Sequence, residues 1–211
     1  MTRVTVHYAQ SLDGRLATRS GDSQWIGGPA SLRLAHQLRA EHQNILVGVR
    51  TVIADNPRLT VRLVEGASPR RIVLDSTLRL PPEANVFTDG AAPTLIATTR
   101  RAPSERVHAL RERGIDVVEV PEDECGRTNL KSVVELLHPE SLLIEGGAAV
   151  ITSALRQRLV QRLVVCIAPL VIGQGIEAVG DLHVQRLSQA LFFQTSCFRL
   201  LDDDIIFDGY L

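Results

Sequence analysis

The sequence predicts an α/β protein with a mostly parallel central sheet, helices on both faces of it and an antiparallel edge at its C-terminal end. Three observations carry this. Short apolar runs alternate with helical stretches along most of the chain. Runs such as "NILVGV", "RRIVLD" and "SLLIE" are nearly continuous in apolar residues, as strands covered on both faces must be. The tail "ALFFQTSCFRLLDDDIIFDGYL" reads instead as two strands around an acidic turn at Asp202 to Asp204.

Taken in order, "RVTVHYA" is a strand and "PASLRLAHQLRAEHQ" an amphipathic helix. Leu34, Ala35 and Leu38 share one face of that helix, and Arg33, Gln37 and Glu41 the other. "NILVGV" is a buried strand, and "TVIAD" a short helix stopped before Asn56-Pro57, because the residue before a proline disfavours helical angles. "RRIVLD" and "PTLIATT" are two more strands. "SERVHALRERG" is a helix ending at Gly114, where glycine tolerates a left-handed cap, and "IDVVEV" the strand after it. "NLKSVVELLHPE" is a helix closed by Pro139, "SLLIE" a strand, "AVITSALRQRL" a helix and "VQRLVVCIAPLVIG" a long strand. No Pro/Gly/Ser linker divides the chain, so one domain over residues 1–211 is expected.

Composition narrows the function classes. With 45% apolar and 22% charged residues the chain is an ordinary globular protein. A net charge of -1 argues against a nucleic-acid partner, since phosphate backbones recruit a clear cationic excess. No apolar run approaches the ~20 residues that span a bilayer, and the N-terminus alternates like a strand rather than like a signal peptide. Cys125, Cys166 and Cys197 are odd in number and widely spaced, which fits reduced thiols and a cytoplasmic location. No Cys/His pair has zinc spacing, and His36 and His42, six apart, miss the i, i+4 spacing of a helical metal pair, so no metal is expected and both histidines read as structural or solvent-facing.

Four stretches could carry chemistry. In "LLIEGGAAVITSAL" an apolar strand runs into Gly146-Gly147 and a helix, so backbone amides and the positive helix end converge. That suits a phosphate, or simply a tight turn that needs glycine. The pattern is neither of the standard nucleotide fingerprints. Glu145 ends a buried strand, on the edge where parallel sheets bind ligands. In "GDSQWIGG", Trp25 is either a core plug or the wall of a planar ligand. In "TVIADNPRLTVR", Thr51 and Asp55 share a helix face, while Thr60 and Arg62, two apart, share a strand face. Arg62 could clamp an anion bidentately and Asp55 could handle a proton. The plain alternatives are a surface ion pair and an Asx turn. In "HQLRAEHQ", Arg39 reads most simply as part of a solvated helix face.

Together and in order, "SLDGRLAT", "GDSQWI", "LRAEHQNILVG", "TVIADNPRLTVR", "RIVLDSTLRLP", "IEGG" and "LVVCIAPLVIGQG" resemble the reductase domain of riboflavin biosynthesis, over nearly the whole chain. The resemblance implies a dihydrofolate-reductase-like fold and NADPH-dependent reduction of the ribosylamino side chain of a phosphorylated pyrimidine, in its diamino or its aminouracil form. It implies substrate contacts at Ser23, Arg39, Leu59, Arg62 and Glu145. Dinucleotide contacts would fall at Ala9, Trp25, Thr51, Asp55, Ser76 and the turn of Gly147, Ala148, Ala149, Val150, Ile151, Thr152 and Ser153. Arg39 and Arg62 would then be two cationic forks for one phosphate. Ser76, with Arg79, would meet the 2′-phosphate of NADPH, and Asp55 or Glu145 would supply a proton or stabilise an iminium charge. Family members are usually homodimers. Many bacterial ones carry lysine at the position of His7, and their deaminase partner has a His-x-Glu and Pro-Cys-x-x-Cys signature that this sequence lacks, so no deaminase domain is expected in it. The competing readings are a related NADPH-dependent reductase of a pterin-like or imine substrate, and a non-catalytic nucleotide-binding relative.

Overall fold

A computed structural model describes residues 2–211. Its elements are β1 (Arg3–Ser11), β2 (Arg15–Thr18), α1 (Pro29–Ala40), β3 (Asn44–Gly48), α2 (Val49–Asp55), β4 (Arg70–Leu74), α3 (Asn85–Thr88), β5 (Thr94–Thr98), α4 (Ser104–Glu112), β6 (Asp116–Glu119), α5 (Leu130–Leu137), β7 (Ser141–Gly146), α6 (Ala148–Arg156), β8 (Arg162–Ala168), β9 (Gly175–Glu177), β10 (Thr195–Leu201) and β11 (Asp204–Tyr210). Nine strands form one sheet in the order β10-β11-β8-β1-β7-β3-β4-β5-β6, and β2 and β9 form a small second one. The seven strands from β8 to β6 are mutually parallel, whereas β11 runs antiparallel to β8 and β10 antiparallel to β11.

The near-continuous apolar strands have the expected cause. Alternate residues of one strand enter different cores. Leu46, Ile72, Leu95, Leu142 and Ile144 pack with Leu130 and Val133 of α5 and Ile151, Ala154 and Leu155 of α6. Ile45, Val47, Val73, Ile96 and Leu143 pack on the other face with Leu34 and Leu38 of α1 and Val86 of α3. Burial on both faces leaves no position for polar alternation. No helix among the described residues is long and apolar enough to cross a membrane.

Two element readings need correction. The segment 56–64 contains no strand, although Thr60 and Arg62 alternate as one would. It crosses outside the sheet and its amides are held by side chains: the Val61 N–H donates to Ser68 Oγ (3.1 Å) and the Arg62 N–H to His36 Nδ1 (2.9 Å). The long C-terminal strand stops at Ala168, just before Pro169, rather than running to Gly173. The short elements β2, β9 and α3 carried too few residues to show a period.

The C-terminal hairpin is tied to the start of α1 by a buried carboxylate. Asp204 Oδ2 accepts from the Gly28 N–H (2.8 Å), Ser31 Oγ (2.5 Å) and Cys166 Sγ (3.3 Å). Gly28 is the N-cap of α1 and has no capping side chain of its own, so Asp204 supplies the negative charge that a helix N-terminus favours. Cys166 is a core residue, and burial pushes its thiol pKa up to about 12.

Candidate active site

The sheet order places β7 between β1 and β3, so the chain leaves β1 to one side and returns on the other. Parallel sheets open a crevice at the carboxyl ends of strands near such a switch point. A cleft of about 1340 Å³ lies there, walled by the ends of β1, β3, β4 and β7 and by the loops that follow. It takes in His7, Ala9, Ser23, Trp25, Arg39, Thr51, Asp55, Leu59, Arg62, Ser76, Glu145 and Gly147. Ala148, Ala149, Val150 and Ser153 of α6 also line it. Ile151 and Thr152 do not. Ile151 is fully buried in the core, and Thr152 Oγ1 donates to the Ala148 carbonyl and accepts from the Gly180 N–H; these fourth and fifth residues of α6 lie off the face that Ala149, Val150 and Ser153 share at i, i+3 and i+4 spacing.

At the centre, Arg39 and Glu145 form a bidentate pair. Nε donates to Oε1 at 2.8 Å and Nη2 to Oε2 at 2.7 Å, and Nη1 reaches the Thr60 carbonyl at 3.2 Å. Both side chains are about nine-tenths buried. Burial opposes the charge on each, and the partner's field and hydrogen bonds outweigh it, so the Glu145 pKa is lowered and the Arg39 pKa raised. This corrects one expectation: Arg39 is not part of a solvated helix face. Glu145 takes its Nε and one Nη2 donor and the Thr60 carbonyl one Nη1 donor.

Arg62 is differently placed. Its Nη1 donates to Thr60 Oγ1 (2.6 Å), and among the described residues Nε and Nη2 make no hydrogen bond. Desolvation and the cations of Arg39 and Arg58 lower its pKa. A basic patch with an open guanidinium edge remains. Arg58, which also lines the cleft, was not singled out in the sequence. Its backbone is held by buried Arg71, whose Nη1 donates to the Arg58 carbonyl (3.2 Å) and to Asp89 Oδ1 (2.7 Å). Asp55 ends α2 on the exposed rim, and partial desolvation raises its pKa.

Two histidines sit beside the pair. His7 lines the cleft and His36 lies beneath it, both buried and each with an unpartnered Nε2. Burial holds both near a pKa of about 4, so both are neutral at pH 7.

The other half of the cleft suits a dinucleotide. A Cβ on Gly48 would lie 2.9 Å from Val150 Cγ2, and one on Gly147 would lie 3.0 Å from Thr51 Oγ1, so the glycines let the β3–α2 and β7–α6 turns touch. α6 begins at Gly147 without a side-chain cap, which leaves its first amides available to an anion. Farther along, Ser76 Oγ accepts from the Thr128 N–H (2.9 Å) and meets Thr128 Oγ1 (3.0 Å), which draws the 123–128 loop over β4. Arg79, Arg101 and Arg127 surround this end of the cleft. Arg101 pairs with Glu122 (3.1 Å) and Arg127 with Asp123 (3.2 Å), and Arg79 stands 3.8 Å from Asp75. Trp25, 73% exposed at the mouth, is not a core plug. No group of three or more His, Cys, Asp or Glu among the described residues could hold a metal ion.

A family model described as "RibD C-terminal domain" matches residues 2–205. The chain belongs to the RibD C-terminal domain family. Among its relatives is a Methanothermobacter thermautotrophicus protein named 2,5-diamino-6-ribosylamino-4(3H)-pyrimidinone 5′-phosphate reductase, 43% identical over 212 residues, covering 96% of this chain and 95% of that one. The riboflavin biosynthesis protein RibD of Aquifex aeolicus is 37% identical over 210 residues, covering 96% of this chain and 56% of its own length. The chain therefore spans little more than half the length of these RibD relatives, 56% of the Aquifex protein and about the same share of others. Among solved structures, Acinetobacter baumannii RibD superposes with a TM-score of 0.84 at 28% identity, over 100% of this chain and 58% of that one. Enterococcus faecalis dihydrofolate reductase superposes with a TM-score of 0.58 at 10% identity, over 99% of this chain and 95% of that one. The fold of the chain is thus dihydrofolate-reductase-like.

Proposed function

We propose that this chain is a cytoplasmic, NADPH-dependent reductase of riboflavin biosynthesis that converts the ribosylamino side chain of a phosphorylated pyrimidine to a ribitylamino chain. One observation carries the reading: a buried carboxylate, Glu145, and an open guanidinium, Arg62, share a cleft with the uncapped start of α6. The 43% identity to a protein named as such a reductase supports the substrate class.

When bound, NADPH supplies a hydride to the first ribose carbon of the opened, imine-like sugar. Its pyrophosphate would rest on the Gly147–Ala149 turn, and Ser76 with Arg79 would lie towards its 2′-phosphate. Trp25 and Thr51 would flank it. Glu145, held as a carboxylate by Arg39, would stabilise the positive charge of the imine nitrogen from a desolvated position, where such a field is strong. The same pairing makes it a poor proton donor. Asp55, whose pKa is raised, is the better proton carrier of the two. Arg62, with Arg58 nearby, would hold the substrate phosphate, and Ser23 and the backbone at Leu59 would shape its seat.

The test is NADPH oxidation with the diamino and the aminouracil ribosylamino phosphates, run side by side. Turnover of either at micromolar concentration supports the reading, and preference between them defines the step. Oxidation of NADPH by neither, with a pterin or simple imine accepted instead, would replace it.

A further inference from the structure

Mid-helix in α1, His36 is fully buried, where an apolar residue would pack without leaving an unpartnered N–H. Its one hydrogen bond is from the Arg62 backbone N–H to Nδ1, at 2.9 Å. Nδ1 must therefore be the acceptor and Nε2 the protonated nitrogen of a neutral ring. One turn on, Arg39 shares that helix face, and its Nη1 takes the Thr60 carbonyl at 3.2 Å while its other nitrogens grip Glu145. The segment around Thr60 and Arg62 has no sheet partner, so these two side chains of α1 replace the missing ladder.

We infer that His36 is a positioning residue: by accepting the Arg62 amide it fixes the distance between the Arg62 guanidinium and the Arg39–Glu145 pair, and so the span between phosphate and reacting carbon. The inference rests on the proposed phosphate role of Arg62. Neutrality suits the task, because a protonated Nδ1 could not accept this bond and would face Arg39 and Arg62; burial and those cations keep the ring pKa near 4.

The experiment compares His36→Leu, which removes the acceptor, with His36→Asn, whose amide oxygen can stand where Nδ1 does. Arg62→Ala is run in parallel. His36→Leu should raise substrate KM and the directly titrated substrate Kd by about tenfold, with kcat within about twofold and NADPH Kd unchanged, and His36→Asn should recover part of the loss. If Arg62→Ala raises KM and His36→Leu does not, the inference is overturned and the phosphate reading stands. If Arg62→Ala leaves KM unchanged, the phosphate reading falls and takes the inference with it. Should His36→Leu fail to fold, nitrogen-15 NMR of the unaltered protein decides: a ring protonated on Nε2 alone at pH 7 agrees, and one protonated on Nδ1 overturns it.

Discussion

Arg62 and Arg39 are both arginines at the cleft, yet they should respond differently to removal, because one guanidinium has an open edge and the other is locked in a buried pair with Glu145. On the proposed role of Arg62, Arg62→Ala should remove a charge-assisted contact to the substrate phosphate of about 2 kcal/mol, or roughly 30-fold, expected in substrate KM rather than in NADPH affinity. Arg62→Lys should restore only part of it, since a point charge does not reproduce a fork. Unchanged steady-state kinetics in Arg62→Ala would reduce Arg62 to a surface residue. His7 gives a prediction in pH. Its pKa lies near 4 in the fold and near 6.5 when unfolded, so the unfolded chain binds the proton first. The stability this provides is complete above pH 6.5 and is lost as pH falls towards 4, by about 3 kcal/mol at most. A melting temperature that declines over that window, and declines less in His7→Gln, is the expected record; parallel slopes for the two proteins would contradict it. Residue identities alone could name Arg39, Glu145 and Arg62 as candidates. They could not show that the first two neutralise each other across 106 positions of sequence, nor that Arg58 joins them through a carbonyl held by buried Arg71.

At the scale of elements, two turns meet where glycine is required. The added methyl in Gly48→Ala would drive into Val150 Cγ2 at 2.9 Å, at an overpacking cost of about 1–3 kcal/mol. Denaturant midpoints should show that loss, and Val150→Ala introduced alongside should return part of it. Additive losses in the double variant would mean that the turns do not touch there. Strands and helices of the sheet were legible because burial on both faces writes itself as apolar runs. The segment around Thr60 and Arg62 was not, because its period of two arises from pairing with side chains of α1 rather than with a neighbouring strand. The tight β7–α6 turn was legible from its glycines, but which residues of α6 face the cleft follows from the helix phase, and Ile151 and Thr152 point elsewhere.

For the whole molecule, the edge strand β10 presents six exposed residues in succession, Phe198 and Leu200 among them at 68% and 75%. An open strand edge bearing large apolar side chains invites pairing, and a homodimer built on it is expected. Light scattering at micromolar concentration should give twice the chain mass, and Phe198→Lys with Leu200→Lys should halve it. A monomer before substitution would end that expectation. The sheet order has another consequence, in time rather than in space. β1 pairs only with β7 and β8, whose partners to it begin at Ser141 and Arg162. As a ribosome releases the chain, β1 must wait unpaired while everything up to those strands is made. α1 waits longer still, because the carboxylate beneath its first turn comes from Asp204. The wall of the cleft nearest the beginning of the chain is therefore the last to be finished. While residues 12–140 are being made the nascent chain carries an uncommitted strand, which is the period in which a chaperone would find it.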